Sequence, residues 1–131
     1  MTTAKNQCSM AKATVLKLLR KHFDSIFSIQ GYFIKSRNDG SQETSWWDGN
    51  PAHHVDFTQE GARKWFTDRL KTLQELHGID SFKFDAGESD WAPPNPDLNA
   101  DIEDSPNALT SAYVRTCAEF GGLLEVRSAW R

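Results

Sequence analysis

Gly78-Ile79-Asp80-Ser81-Phe82-Lys83-Phe84-Asp85-Ala86-Gly87-Glu88 is the stretch whose reading decides the fold. From Ser81 to Asp85 the residues alternate, with Phe82 and Phe84 on one side and Ser81, Lys83 and Asp85 on the other. That is the two-residue period of an extended strand. Ala86-Gly87 permits a sharp turn directly afterwards, so two carboxylates, Asp85 and Glu88, fall where the strand gives out. In a β/α protein that end of a strand is where chemistry is placed.

Upstream, a helix is expected from about Gln59 to Leu76. Ala62, Trp65, Phe66, Leu70, Leu73 and Leu76 form its apolar face, and Arg63, Lys64, Asp68, Lys71 and Glu75 lie opposite. Thr58 is expected to cap it, Glu60 suits its first turn, and Gly78 stops it. With a short strand ending at Asp56-Phe57, the order strand, helix, strand reads as a βαβ crossover with parallel pairing. Downstream, Ser89 to Ser105 is rich in Pro, Asp and Asn and reads as a loop over the active end of the sheet, anchored by Trp91. Ser105-Pro106 then opens a second helix, which runs to Phe120 and stops at Gly121-Gly122. Leu123 to Arg131 reads as a further strand, with Glu125 and Arg127 on one side and Leu124 and Val126 on the other. Both strands thus bring charge to one face, which suits either a wet interior or a lattice of ion pairs.

The remaining segments are less decisive. Gly31 to Lys35 has strand composition, and Asn38-Asp39-Gly40-Ser41 is a turn signal. Trp46 and Trp47 sit in a Ser-, Asp- and Gly-rich loop, where two roles are open: capping the core, or stacking on a sugar ring. His53-His54 with Asp56 invites a metal reading, but adjacent side chains of an extended chain point apart, and no third cluster completes a site. The acids of the 89–105 loop fit no calcium-loop spacing. No metal and no cofactor are expected.

The chain has 131 residues and a net charge of -3, unevenly spread. Residues 1–22 hold five basic residues and no acid, so ten basic against eighteen acidic residues leave -8 for the remainder. Seven acids and no Lys or Arg lie between Asp85 and Asp104. Such a body is a poor binder of polyanions, which excludes nucleic acid as the expected partner. Cys8 and Cys117 have neither metal-ligand nor redox spacing, and no apolar run has the length of a membrane span. Residues 1–30 are set apart as a basic segment, read as an amphipathic helix, a leader or sequence from an imperfect gene model.

Taken in order, Trp46-Trp47-Asp48-Gly49, Val55-Asp56-Phe57-Thr58, Ala62-Arg63-Lys64-Trp65-Phe66 and Ser81 to Glu88 resemble the central catalytic segment of glycoside hydrolase family 31. Within that family Phe-Lys-Phe-Asp-Ala-Gly-Glu is most similar to the myogenesis-regulating glycosidase subgroup. The resemblance covers residues 31–131. It implies an α/β fold, part of a (β/α)8 barrel of parallel strands. A complete barrel needs roughly 250 residues, so the chain is expected to stop before the barrel closes.

The resemblance further implies a retaining α-glycosidase acting on a carbohydrate substrate, α-galactosidase-like in its subgroup, with Asp85 as nucleophile. Such an enzyme needs an ionised carboxylate to attack the anomeric carbon and a protonated one about 5 Å away to assist the leaving oxygen. Lys83, on the same strand face, is expected to favour the charged form of Asp85 and to donate to sugar hydroxyls, with Arg127 as a second fixed cation. The resemblance favours sugar stacking for Trp47, and a role for Glu88 in ordering the loop or contacting substrate. The acid/base is expected beyond Arg131, so residues 1–131 alone are expected to be inactive. The subgroup implies the secretory membrane system as location. Two other readings stay open: a catalytically silent carbohydrate-binding protein and a nonfunctional truncated product.

Overall fold

A computed structural model of the protein describes residues 11–12, 31–104, 107–121 and 124–128. The remainder of the N-terminal basic segment, the Ser105-Pro106 helix start, the second glycine of the Gly121-Gly122 stop and the outer parts of the closing strand lie outside them.

Strand β5 (Phe82–Asp85) is the centre of a three-stranded sheet. It is parallel to β1 (Ala11–Lys12) on one side and to β7 (Glu125–Arg127) on the other. Its aromatic pair explains the position. Phe82 and Phe84 are buried and are covered by rings from both helices: Phe66 of α1 (Glu60–His77), Tyr113 of α2 (Asn107–Cys117), and Phe120 just beyond α2. Burying one such ring contributes about 1.5–3 kcal/mol, so this aromatic cluster fixes the sheet against its helical layer. From β5 through α2 to β7 the chain makes the strand, helix, parallel strand unit that places Asp85 opposite Arg127.

The other expected crossover is different. The chain before α1 does not pair with β5. Its Val55 bridges Phe33 antiparallel, Ile34 N–H donates to His54 O at 2.9 Å, and Asp56 N–H donates to Tyr32 O at 2.8 Å. The place beside β5 is taken by β1, so the strand expected at 55–57 serves as a short antiparallel partner of 32–34. The cap of α1 also departs from the sequence reading. Thr58 donates its hydroxyl to Asp56, whose carboxylate also accepts from Thr58 N–H and the Gln59 side chain. Asp56 is fully buried and organises the turn, while Gln59 occupies the cap position without a side-chain bond to the helix. At the other end Gly78 takes the left-handed conformation (φ 60°) and donates to Gln74 O, as a terminal glycine should.

The long loop is more tied down than its composition suggests. Its β6 (Pro96–Asp97) pairs antiparallel with β2 (Lys35–Ser36), and Trp91 O accepts from the Thr44 hydroxyl at 2.9 Å. Thr44 belongs to the hairpin of β3 (Glu43–Ser45) and β4 (Pro51–His53). Among the described residues the strands form these small sheets and no closed barrel.

Candidate active site

The strand end at Asp85 is held by an unusual turn. Ala86 adopts φ +63°, a left-handed conformation that strains any residue with a Cβ by about 1–2 kcal/mol. Three bonds sustain it: Ala86 N–H to Arg127 O, Tyr113 hydroxyl to Asp85 O, and Thr110 hydroxyl to Gly87 O, each 3.1 Å. Helix α2 therefore clamps the backbone on both sides of Ala86. Burial pushes the Tyr113 phenol up, so it stays a proton donor to that carbonyl. Burial also pushes the Cys117 thiol beneath it up to about 12, which makes Cys117 an inert packing group.

Gly87 is required here by space. A Cβ on it would stand 1.9 and 2.2 Å from two ring carbons of Tyr113, at the root of a buried ring that cannot swing away. Gly87→Ala is expected to lower stability by about 1–3 kcal/mol in urea unfolding, by overpacking. A loss under about 0.5 kcal/mol would show that the turn and Tyr113 are not in register.

The charged face follows from the parallel register, Lys83↔Glu125 and Asp85↔Arg127. Arg127 donates from Nε to Asp85 Oδ1 and from Nη1 to Glu88 Oε1 at 3.0 Å, joining both carboxylates through one guanidinium. Its own pKa is raised by the bond to Asp85 and the charge of Glu88. Lys83 is engaged differently from the sequence expectation. Its Nζ sits 2.6 Å from Glu125 Oε1, and that bond is the first cause of its raised pKa. The rung opposite Lys83 is occupied by Glu125, and the rung of Asp85 by Arg127, so the nearer acid captures the lysine.

These ion pairs form a ladder, but not a buried one. The Arg127 and Glu125 side chains are 59% and 56% exposed, against 37% for Asp85 and 12% for Glu88. Exposed pairs are worth roughly 0–1 kcal/mol, so structural gain alone is a weak reason for the arrangement.

Beside Asp85 lies a cavity of about 50 Å³, lined by Asp85 to Glu88 together with His53, His54, Val55, Phe57, Leu109 and Tyr113. Trp47 is not among its walls. It is 69% exposed in the turn of the β3–β4 hairpin, while Trp46 turns inward against Trp91 and His54, with ring centroids 5.8 and 6.2 Å away. A wider concavity of about 640 Å³ lies along Arg63, Asp101 and Arg115 and includes none of the candidate site residues Trp47, Lys83, Asp85, Glu88 and Arg127. No group of three His, Cys, Asp or Glu able to hold a metal occurs among the described residues.

Sequence reasoning weighed His54 only as a metal ligand, and the structure gives it another setting. His53 Nδ1 bonds Gln42 O at 3.0 Å and its ring stacks on Phe33, whereas His54 is 7% exposed and its Nε2 has no hydrogen-bond partner among the described residues. Burial pushes its pKa down from 6.5 to about 4, so the ring is neutral. Between pH 6.5 and 4 the unfolded chain takes up a proton at this position that the folded chain refuses. Stability is therefore expected to fall by about 3 kcal/mol as pH drops through that window, then level off. Urea midpoints of wild type and His54→Phe between pH 7 and pH 4 check this. Parallel curves for the two proteins would refute it.

A carboxylate at a parallel strand end, a guanidinium bridging it to a second carboxylate, and a recess beside them thus come together at one end of β5. Residues 5–124 match the glycosyl hydrolases family 31 TIM-barrel domain, and the chain belongs to that family. It is similar to the myogenesis-regulating glycosidase of Mus musculus, 35% identical over 86 residues, 66% of this chain and 12% of that protein. It is also similar to alpha-xylosidase XylQ of Lactiplantibacillus pentosus, 45% identical over 60 residues, and to an alpha-xylosidase of Emericella nidulans, 49% identical over 61 residues. Each of those two matches covers 45% of this chain, with 8% and 7% of the relative. The chain thus spans a small part of the length of these relatives.

Proposed function

We propose that this chain is the nucleophile-bearing part of a retaining α-glycosidase, with barrel strands outside residues 1–131 completing the enzyme. The observation that carries it is Arg127 bonded at once to Asp85 and Glu88 at the end of β5. Asp85 Oδ2 takes no part in the Arg127 bond and is the oxygen that attacks the anomeric carbon, while the leaving group departs with the bonding electrons. Glu88, bound to the same guanidinium and mostly covered, orders the turn and contacts a sugar hydroxyl. A separate acid, supplied beyond Arg131, protonates the leaving oxygen. In this reading Lys83, one rung behind the nucleophile, shifts from Glu125 to a sugar hydroxyl when substrate arrives, and Trp47 is a platform at the outer edge.

The relatives' names include both a glycosidase of the myogenesis-regulating type and α-xylosidases, so the substrate is an α-glycoside, α-galactoside-like in the subgroup reading. The experiment is labelling of the full-length protein with an activated fluoro-glycoside, followed by mapping of the modified residue.

A further inference from the structure

We propose that Glu125 is a positioning residue: by holding Lys83 on its own rung of the sheet, it keeps the ammonium off the Asp85 oxygen that attacks the sugar. This rests on the reading of Asp85 as nucleophile and adds to it a side chain from the neighbouring strand that leaves that oxygen free.

Register is the first argument. The parallel pairing sets Lys83 opposite Glu125 and Asp85 opposite Arg127, so four charges stand at the corners of a rectangle on one face of the sheet. Positions two apart on a strand are separated by about 6.6 Å and positions on one rung by about 4.8 Å, both within reach of a lysine's four-carbon stem. Lys83 takes the shorter path, with Nζ 2.6 Å from Glu125 Oε1. Charge balance is the second argument. Arg127 is bonded to both Asp85 and Glu88, which leaves Glu125 to the lysine. Asp85 is the neighbour that the two cations share. Glu125 is the main cause of the raised pKa of Lys83, with a smaller contribution from Asp85, whereas that of Arg127 is raised by Asp85 and Glu88. With Glu125 gone, Asp85 is the remaining acid among the described residues that draws Lys83. The third argument is the carboxylate itself. Arg127 occupies Oδ1, so an ammonium arriving at Asp85 binds Oδ2, the oxygen assigned to attack. A charge-assisted hydrogen bond there ties up the lone pair that must reach the anomeric carbon. The Lys83 and Glu125 side chains are 29% and 56% exposed, so their pair adds little to stability, but it decides which carboxylate the ammonium occupies.

The test uses the full-length protein and fluorinated α-glycosyl fluorides of the gluco, galacto and xylo series, taking the member that labels fastest. In Glu125→Gln the labelling rate at saturating probe is expected to fall about five-fold at low salt, with the half-saturating concentration within about two-fold of wild type. Salt at about 1 M should remove most of the difference, and Glu125→Asp, which keeps the charge, should recover most of the rate. The decisive comparison is a double-mutant cycle. In a Lys83→Met background no ammonium remains to be held, so Glu125→Gln should change the rate by less than about two-fold. An equal loss in both backgrounds, or a Glu125→Gln rate within about two-fold of wild type, overturns this inference, while labelling at Asp85 leaves the glycosidase reading intact. Glu125→Thr, which places an uncharged strand former at 125, is run alongside and decides in the same way should Glu125→Gln not fold. Wild type that gives no adduct at Asp85 defeats the glycosidase reading and this inference with it.

Discussion

Asp85→Ala is expected to abolish covalent labelling by an activated fluoro-glycoside and to reduce turnover of the full-length protein by about 10⁴-fold or more, as loss of a nucleophile does in other covalent enzymes. The cause is local. The strand end, the left-handed Ala86 and the clamp from Thr110 and Tyr113 involve the backbone of residues 85–87, so alanine at 85 leaves the turn in place while removing the attacking oxygen and the carboxylate partner of Arg127 Nε. Arg127 keeps its bond to Glu88 in the variant. Intact mass and peptide mapping read the outcome. In wild type the glycosyl adduct should map to Asp85, with the fluoride leaving group displaced and its electron pair carried away. A small anion such as azide should restore partial turnover of an activated substrate in the variant, giving a glycosyl azide of inverted configuration, since it fills the space of the missing carboxylate. An adduct mapped to Glu88, or turnover within ten-fold of wild type, defeats the assignment.

Much of the site was legible in the sequence because a parallel strand imposes few choices. Alternation fixed which side of β5 carries Phe82 and Phe84 and which carries Lys83 and Asp85, and the α2 connection brought Arg127 alongside. What alternation could not supply was the register between strands. A shift of two residues would have paired Lys83 with Arg127's rung, and only the structure shows that Glu125 holds the lysine. The antiparallel pairing of 32–34 with 54–56 was hidden for a similar reason, since a short apolar run before a helix looks the same whichever neighbour it joins. Asp56 as turn organiser has a signal in the sequence: an Asp two residues before Thr58 and three before Gln59 can satisfy a local turn with its own side chain. His54 had none. Its burial beside the Trp46 ring, at a recess it shares with Val55 and Phe57, is something no spacing rule reports.

Phe84→Ala is expected to be the most destabilising single change in the described core, at about 3–5 kcal/mol. Phe84 is wholly buried at the middle of the central strand, with the rings of Phe66, Phe82, Tyr113 and Phe120 at centroid distances of 5.6 to 6.5 Å. Those rings come from α1, β5, α2 and the short 3-10 helix after α2, so the void is bounded by four segments that are themselves held by other contacts and cannot all collapse inward. Tyr113 is the sensitive neighbour. It packs on Phe57 as well, and its hydroxyl holds Asp85 O, so a ring that tips into the void releases the nucleophile's backbone. Two effects should therefore appear together: a lowered urea midpoint at unchanged m-value, and weaker labelling at Asp85 under conditions where the variant is still folded. Phe84→Leu, which leaves a smaller void, should lose less than half as much and retain most labelling. Since a domain of this size is stable by only about 5–15 kcal/mol, a loss under about 1.5 kcal/mol for the alanine variant would mean that the aromatic cluster is not the contact that seats β5 on its helices.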